Sequence, residues 1–239
     1  MAEVFFRLRI TFEKGGSLRW LSHLELARAM ERLIRRAGLP YAVSQGFNTH
    51  MRFAPGPALP VGTAGMQELF DVWLCEYVNL RHALESLQGA APRELAISAV
   101  GYVSPGAKGL QATHIYERYS VVLRAAETNA EDMRERLAQV VAQGELTVRR
   151  RSKDKTYDLT SAVVSPLLVE VVADGAADGT NIAADAADAA DCYVVTLSLK
   201  ASESGSLRPE YLLNAALETF ELVSVTRSAL ADEPPCPSI

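Results

Sequence analysis

Cysteine is scarce in this chain: three in 239 residues, at Cys75, Cys192 and Cys236, odd in number and far apart. That usage excludes a disulfide framework and suits a reducing compartment. The spacing also excludes a cysteine-held iron–sulfur cluster, which needs closely spaced thiolates. No apolar run reaches the ~18 residues of a membrane span. Residues 1–16 alternate apolar and charged positions and lack the unbroken apolar stretch of a signal peptide. A cytoplasmic protein without membrane attachment is therefore expected. Histidine is rare as well, with four copies and no H-x-x-x-H pair. His23 and His50 have no close ligand partner, so no metal and no cofactor is expected. The two halves of the chain show no clear sequence repeat.

What remains has ordinary globular composition, 49% hydrophobic and 22% charged. Its length suffices for one large domain or two small ones. The net charge of −5 is misleading, because five aspartates fall within residues 173–191, which hold no Lys, Arg or Glu. The remainder is neutral, and its charge is clustered. Residues 1–36 carry eight Lys or Arg against four Glu, and residues 149–155 carry five against one Asp. Such clustering suits contact with an anion at defined places.

The chain is organised around residues 20–62. Ser22 and Glu25 have the S-x-x-E spacing of a capping box, with Leu21 and Leu26 placed as its hydrophobic staple. Gly38 and Pro40 supply a stop, so a helix is expected over about 22–37. Leu26, Met30, Leu33 and Ala37 recur at helical spacing and should face a core. Arg28, Arg32 and Arg35 recur on the other side, beside Arg36. A Gly/Pro-rich polar loop follows, containing Ser44, Gln45, Gly46, Phe47, Asn48, His50 and Arg52.

In order, the periodicities predict a strand over 3–13, the helix, a short extended piece near 40–44, and a short strand near 50–54. A strand over 66–76, a helix from Asn79 to about 88 and a strand over 95–103 complete residues 1–104. Residues 105–113 read as a linker. Residues 114–230 repeat the order: a strand to 124, a helix to about 142, paired strands 145–151 and 156–164 about a basic SKDK turn, strands 166–172 and 192–200, a helix from Pro209, and a strand over 220–227. The expected class is α+β, with two tandem ferredoxin-like halves of β-α-β-β-α-β type and antiparallel sheets. The Ala/Asp segment 173–191 builds no apolar face and is expected to be a disordered insertion. Residues 231–239 are expected to be a disordered tail.

The stretch LRWLSHLELARAMERLIRRAGLPYAVSQGFNTHMRFAPGPALPVG resembles the signature of the radical-SAM-linked domain family of uncharacterised function. The segments LSHLE, RRAGLP, SQGFN and LPVG carry the likeness, as do VRRRSKDKTYDL and SLRPEYLL in the second half. Thr49 and Met51 stand where the family usually has proline, which implies a less rigid loop. The resemblance implies a radical SAM enzyme as partner and a link to RNA metabolism. Without a cysteine triad, this chain is expected to do no radical chemistry on its own.

The leading expectation is a non-catalytic RNA-recognition module. Arg28, Arg32, Arg35 and Arg36, with Arg149, Arg151, Lys153 and Lys155 and their neighbour Arg150, would hold phosphates. The Ser44–Arg52 loop would meet a nucleotide or the partner. The structural alternative for the helix is a solvated face whose arginines pair with Glu25 and Glu31. For the loop it is a structural turn in which Phe47 plugs the core. Phe5, Tyr116 and Tyr119 are candidates for base stacking, or else core. A second reading is an RNA-modifying enzyme of pseudouridine-synthase type using Asp158. The flanking TYDLTS lacks that R-T-D-x-G-V context, and a hairpin salt bridge from Asp158 to Arg149 or Arg151 is the structural alternative. A third reading is a protein-interaction scaffold.

Overall fold

The structure is a computed structural model that describes residues 5–45, 47–126, 128–150, 153–164, 167–172, 191–201 and 206–234. The chain is mixed α+β and divides into two compact units, Met1–His114 and Ile115–Ile239. The expected insertion at 173–191 lies outside the described residues except for Asp191, which starts a strand; of the expected tail 231–239, Ala231 ends a strand and residues 235–239 lie outside the described residues.

In the first unit β1 (Phe6–Lys14) is followed by a 3-10 turn at Gly16–Trp20 and by α1 (His23–Arg36). The cap is as expected: the Glu25 amide donates to the Ser22 hydroxyl, and the Glu25 carboxylate accepts from the Ser22 amide at 2.8 Å. Then come β2 (Phe53–Pro55), β3 (Thr63–Leu74), α2 (Leu80–Ala90), capped by the Asn79 side chain, β4 (Ile97–Tyr102) and the short α3 (Leu110–Thr113). Residues 105–113, expected as a linker, thus contain a helical turn whose Leu110 is buried. The strands run antiparallel in the order β4-β1-β3, with β2 paired to β3.

Register separates the two faces of this sheet. Leu8, Ile10 and Phe12 lie opposite Val72, Phe70 and Glu68, and the apolar members pack against Leu26, Met30, Leu33 and Ile34 of α1 and Ala83 and Leu87 of α2. Ile34 belongs to the core face of α1 alongside the three expected positions, while Ala37 is only half-buried. The alternate positions place Arg7 opposite Trp73 and Arg9 opposite Asp71 on the other face. There Asp71 is fully buried and accepts from Arg7 Nε at 2.8 Å and Arg9 Nε at 2.9 Å. Arg7 also donates to the carbonyls of Ala107 and Lys108, tying down the approach to α3.

The second unit comprises β5 (Tyr116–Ala125), α4 (Ala130–Ala142), β6 (Glu145–Arg150), β7 (Lys153–Asp158), α5 (Leu159–Ala162), β8 (Leu168–Val172), β9 (Asp191–Lys200), α6 (Pro209–Ala216) and β10 (Glu221–Ala231). Its strands run antiparallel in the order β10-β5-β9-β8, while β6 and β7 form a separate hairpin. Residues 159–162, expected as strand, are helical. α1 and α4 both end on a glycine with positive φ, Gly38 at 68° and Gly144 at 80°, a conformation that spares only a residue without Cβ. Buried Arg227 donates to Glu117 at 2.8 Å, and the Tyr119 hydroxyl donates to the other Glu117 oxygen at 3.1 Å.

A buried ion pair is costly to break from one side, because the partner is left charged and unpaired. Glu117→Ala is expected to destabilise the second unit by about 3–5 kcal/mol. Replacing both partners, as Glu117→Leu with Arg227→Met, should cost much less. Urea denaturation of the two variants checks the asymmetry.

Candidate functional site

The arginines of α1 are solvent-facing because the helix commits its other side to the core. Arg28, Arg32, Arg35 and Arg36 are all exposed. Among the described residues none of them has an ion pair. The expected partner Glu25 is used in the cap; the Ser22 hydroxyl and amide, with Arg28 close by, hold its carboxyl below the ordinary range. Arg35 lies over the Tyr41 ring at 5.9 Å, which joins the end of α1 to the segment leading into the loop.

That loop is tied at its base and open at its tip. The Ser44 amide donates to the His50 carbonyl at 2.8 Å, and the His50 amide donates to the Ser44 hydroxyl at 3.1 Å. Val43 bridges to Met51, and Met51 is buried. The Ala42 amide donates to the Trp73 carbonyl, and the Trp73 amide donates to the Arg52 carbonyl, so both stems lie along β3. Met51, expected to loosen the loop, is instead one of its anchors. Beyond the anchors, Gln45, Phe47, Asn48, Thr49 and His50 are exposed, and Gly46 lies outside the described residues. Phe47 does not plug the core: it is fully exposed. An aromatic ring left in water has an unmet hydrophobic driving force.

Arg52 emerges from the second stem, exposed, with its guanidinium carbon 5.0 Å from the ring centre of Phe5 and 5.0 Å from that of Trp73. Arg7 lies over Trp73 at 5.3 Å. Sequence reasoning named Phe5 and Arg52 but missed Trp73, Arg7, Arg9 and Asp71. The signal available was the i, i+2 spacing of Arg7/Arg9 and of Asp71/Trp73 within strands. That spacing assigns each pair to one face and says nothing of which strand it meets.

The basic cluster of the second unit is sorted by the β6–β7 hairpin. Lys153 and Lys155 lie within β7, not in a turn. Arg149 stands opposite Asp154, and Arg150 opposite Lys153. One face of the hairpin carries Leu146, Val148 and Tyr157, which pack on the core, and toward the tip Lys155, Lys153 and Arg150, while Arg149 shares the other face with Asp154, Glu145 and Asp158. Lys155 lies 4.6 Å over Tyr157. Arg151 is outside the described residues. Tyr119 is core, which removes it as a stacking surface, and Tyr116 is half-buried with Lys200 over its ring.

Asp158 sits at the far end of the hairpin from the basic tip, opposite Glu145. In place of the expected bridge to arginine it caps α5, accepting from the Thr160 amide at 2.9 Å and from the Thr160 and Ser161 hydroxyls. These bonds, Thr160 first and Ser161 second, hold its carboxyl below the usual aspartate range. Among the described residues no three His, Cys, Asp or Glu side chains are grouped to hold a metal. Nor is any helix there long and apolar enough to cross a membrane.

The chain belongs to a bacterial family described as an uncharacterised protein conserved in bacteria (DUF2344), which matches residues 7–209. No curated protein matches the chain. Among solved structures it is similar to a chain of a Cbf5-Nop10-Gar1 complex, at 11% identity and a TM-score of 0.44 over 93% of this chain and 48% of that one. It is also similar to a chain of the archaeal box H/ACA sRNP Nop10-Cbf5 complex, at 9% identity and a TM-score of 0.42 over 94% of this chain and 48% of that one. The chain thus spans about half the length of these two solved chains. An unknown protein from Galdieria sulphuraria matches at 11% identity and a TM-score of 0.27, over 92% of this chain and 99% of that one.

The role of Asp158 as a cap has a pH signature. Its folded carboxyl lies below its unfolded value of about 3.9, so its stabilisation is present above that value and is lost as pH falls through the folded value. Asparagine caps about as well as aspartate. Asp158→Asn should therefore keep the parent's urea midpoint near neutral pH and lose less stability than the parent on acidification below pH ~4. Urea titrations at a series of pH values check this.

Proposed function

We propose that this chain is a non-catalytic RNA-recognition module that works with a radical SAM enzyme in RNA metabolism. The observation that carries the reading is the pairing, in one unit, of four exposed α1 arginines that form no ion pair among the described residues with a base-tied loop that exposes Phe47. Unpaired arginines attract phosphates, and an exposed ring on a tethered loop can stack a splayed base. The exposed Arg150 and Lys153 at the hairpin tip are a second phosphate-contacting surface in this reading. The radical SAM partner rests on the family resemblance alone, carried by residues 18–62 and by the VRRRSKDKTYDL and SLRPEYLL segments. We further propose that each unit is a ferredoxin-like half, 1–104 and 114–230, with 105–113 as the connection. The strand orders β4-β1-β3-β2 and β10-β5-β9-β8, with α1 and α2 in one core and α4, α5 and α6 in the other, support that assignment.

If α1 engages four phosphates, log K for RNA should fall with log salt at a slope of roughly −3 to −4. Arg32→Ala plus Arg36→Ala should flatten that slope by roughly 1.5–2. Phe47→Ala should weaken binding by about 1–3 kcal/mol while leaving the slope unchanged. Fluorescence anisotropy with labelled cellular RNA fragments measures all three. Equal binding by parent and double arginine variant sinks the phosphate role, and nuclease-insensitive capture of a partner would favour a protein scaffold instead.

A further inference from the structure

Arg52 differs from every other exposed arginine in the first unit in how it is held. Its backbone is fixed from two sides: its amide donates to the Ala42 carbonyl at 2.7 Å, and its carbonyl accepts from the Trp73 amide at 3.0 Å. The next residue, Phe53, stacks on core Phe70 at 5.0 Å, so strand alternation sends Arg52 to the face away from the core. There the guanidinium rests against Phe5 and Trp73, 5.0 Å from each ring centre. Rings satisfy a guanidinium through its flat face and leave its in-plane N–H donors unmet. Among the described residues those donors make no hydrogen bond and no ion pair. The buried carboxylate of this face, Asp71, is already taken by Arg7 and Arg9.

From this geometry we propose that Arg52 is a specific phosphate receptor, its N–H edge offered bidentately to two phosphate oxygens. Phe5 and Trp73 are positioning residues that fix the plane of the fork before the ligand arrives. Preorganisation of this kind removes rotamer entropy that a free arginine side chain would lose on binding. Phosphate fits better than carboxylate because Arg7, Arg9 and Arg52 outnumber Asp71 and leave an excess of positive charge suited to a dianion. The inference rests on the RNA reading only for the source of the phosphate, which would be one backbone or terminal group of the RNA.

The test uses the full chain carrying Trp20→Phe, which leaves Trp73 as the only tryptophan. Its emission is followed during titration, at constant ionic strength, with inorganic phosphate, with acetate and with a short 5′-phosphorylated RNA. Phosphorus NMR line broadening of inorganic phosphate serves as an independent readout. Phosphate and RNA should give saturable responses and acetate none. Arg52→Lys keeps the charge but loses the fork, and should weaken phosphate binding about tenfold or more. Phe5→Leu leaves Arg52 in place and should weaken it too; circular dichroism verifies the fold of both variants. Equal phosphate binding by Arg52→Lys, absence of any phosphate response, or acetate binding as well as phosphate overturns the proposal. A phosphate response without RNA binding overturns the RNA reading and leaves this site standing. RNA binding unchanged in Arg52→Lys, with no phosphate response, does the reverse.

Discussion

The Asp71 carboxylate is the constraint on which the first unit's outer sheet face depends. A buried carboxylate is tolerable only when its oxygens are bonded and its charge is met. Arg7 and Arg9 do both, from alternate positions of the neighbouring strand. Once Arg7 is committed to Asp71, its remaining donors reach the Ala107 and Lys108 carbonyls, and its flat face lies over Trp73. Trp73 in turn backs Arg52, and Arg52 rests on Phe5. One buried acid therefore sets the placement of a row of cations and rings across the strands. The second unit meets the same problem with the buried Glu117–Arg227 pair, supported by the Tyr119 hydroxyl.

Charge in this protein is arranged, not spread. The net value of −5 comes from an aspartate-rich segment, while the described surfaces of α1 and of the β6–β7 hairpin present cations. The two surfaces achieve this differently. On α1 the capping box occupies Glu25, and among the described residues the arginines form no ion pair. In the hairpin, the two-residue period of a strand places Asp154 opposite Arg149 and sets Arg150, Lys153 and Lys155 on the other face. Adjacent residues in a basic run thus meet different electrostatic surroundings. Composition alone treats them as equivalent.

The limits of local reading are visible in particular residues. The α1 helix was legible to within a residue, because its cap, apolar stripe and glycine stop are all local chemistry. Most strands were legible from alternation to within a few residues. Phe47 was not legible: an aromatic in a Gly-containing loop is as consistent with a core plug as with an exposed tip. Only the tying of Ser44 to His50 and Val43 to Met51 decides between them. Asp158 was misjudged for a related reason. A carboxylate after a basic run suggests a cross-strand bridge, yet the hairpin register carries the arginines to the opposite end and gives Asp158 the amides of a new helical turn.

By itself the sequence determined what depends on neighbours within a few residues. That includes the α+β class, the helix limits and caps and the core stripe of α1. Tertiary structure alone decided what depends on which strand lies beside which. It brought Asp71 between Arg7 and Arg9, set Trp73 and Phe5 against Arg52, and sent Phe47 outward. The physical reason is that alternation fixes the face of a strand residue but not its partner. Partnership follows from register, and register is chosen by the whole buried set of Leu8, Ile10, Phe12, Phe70 and Val72 together.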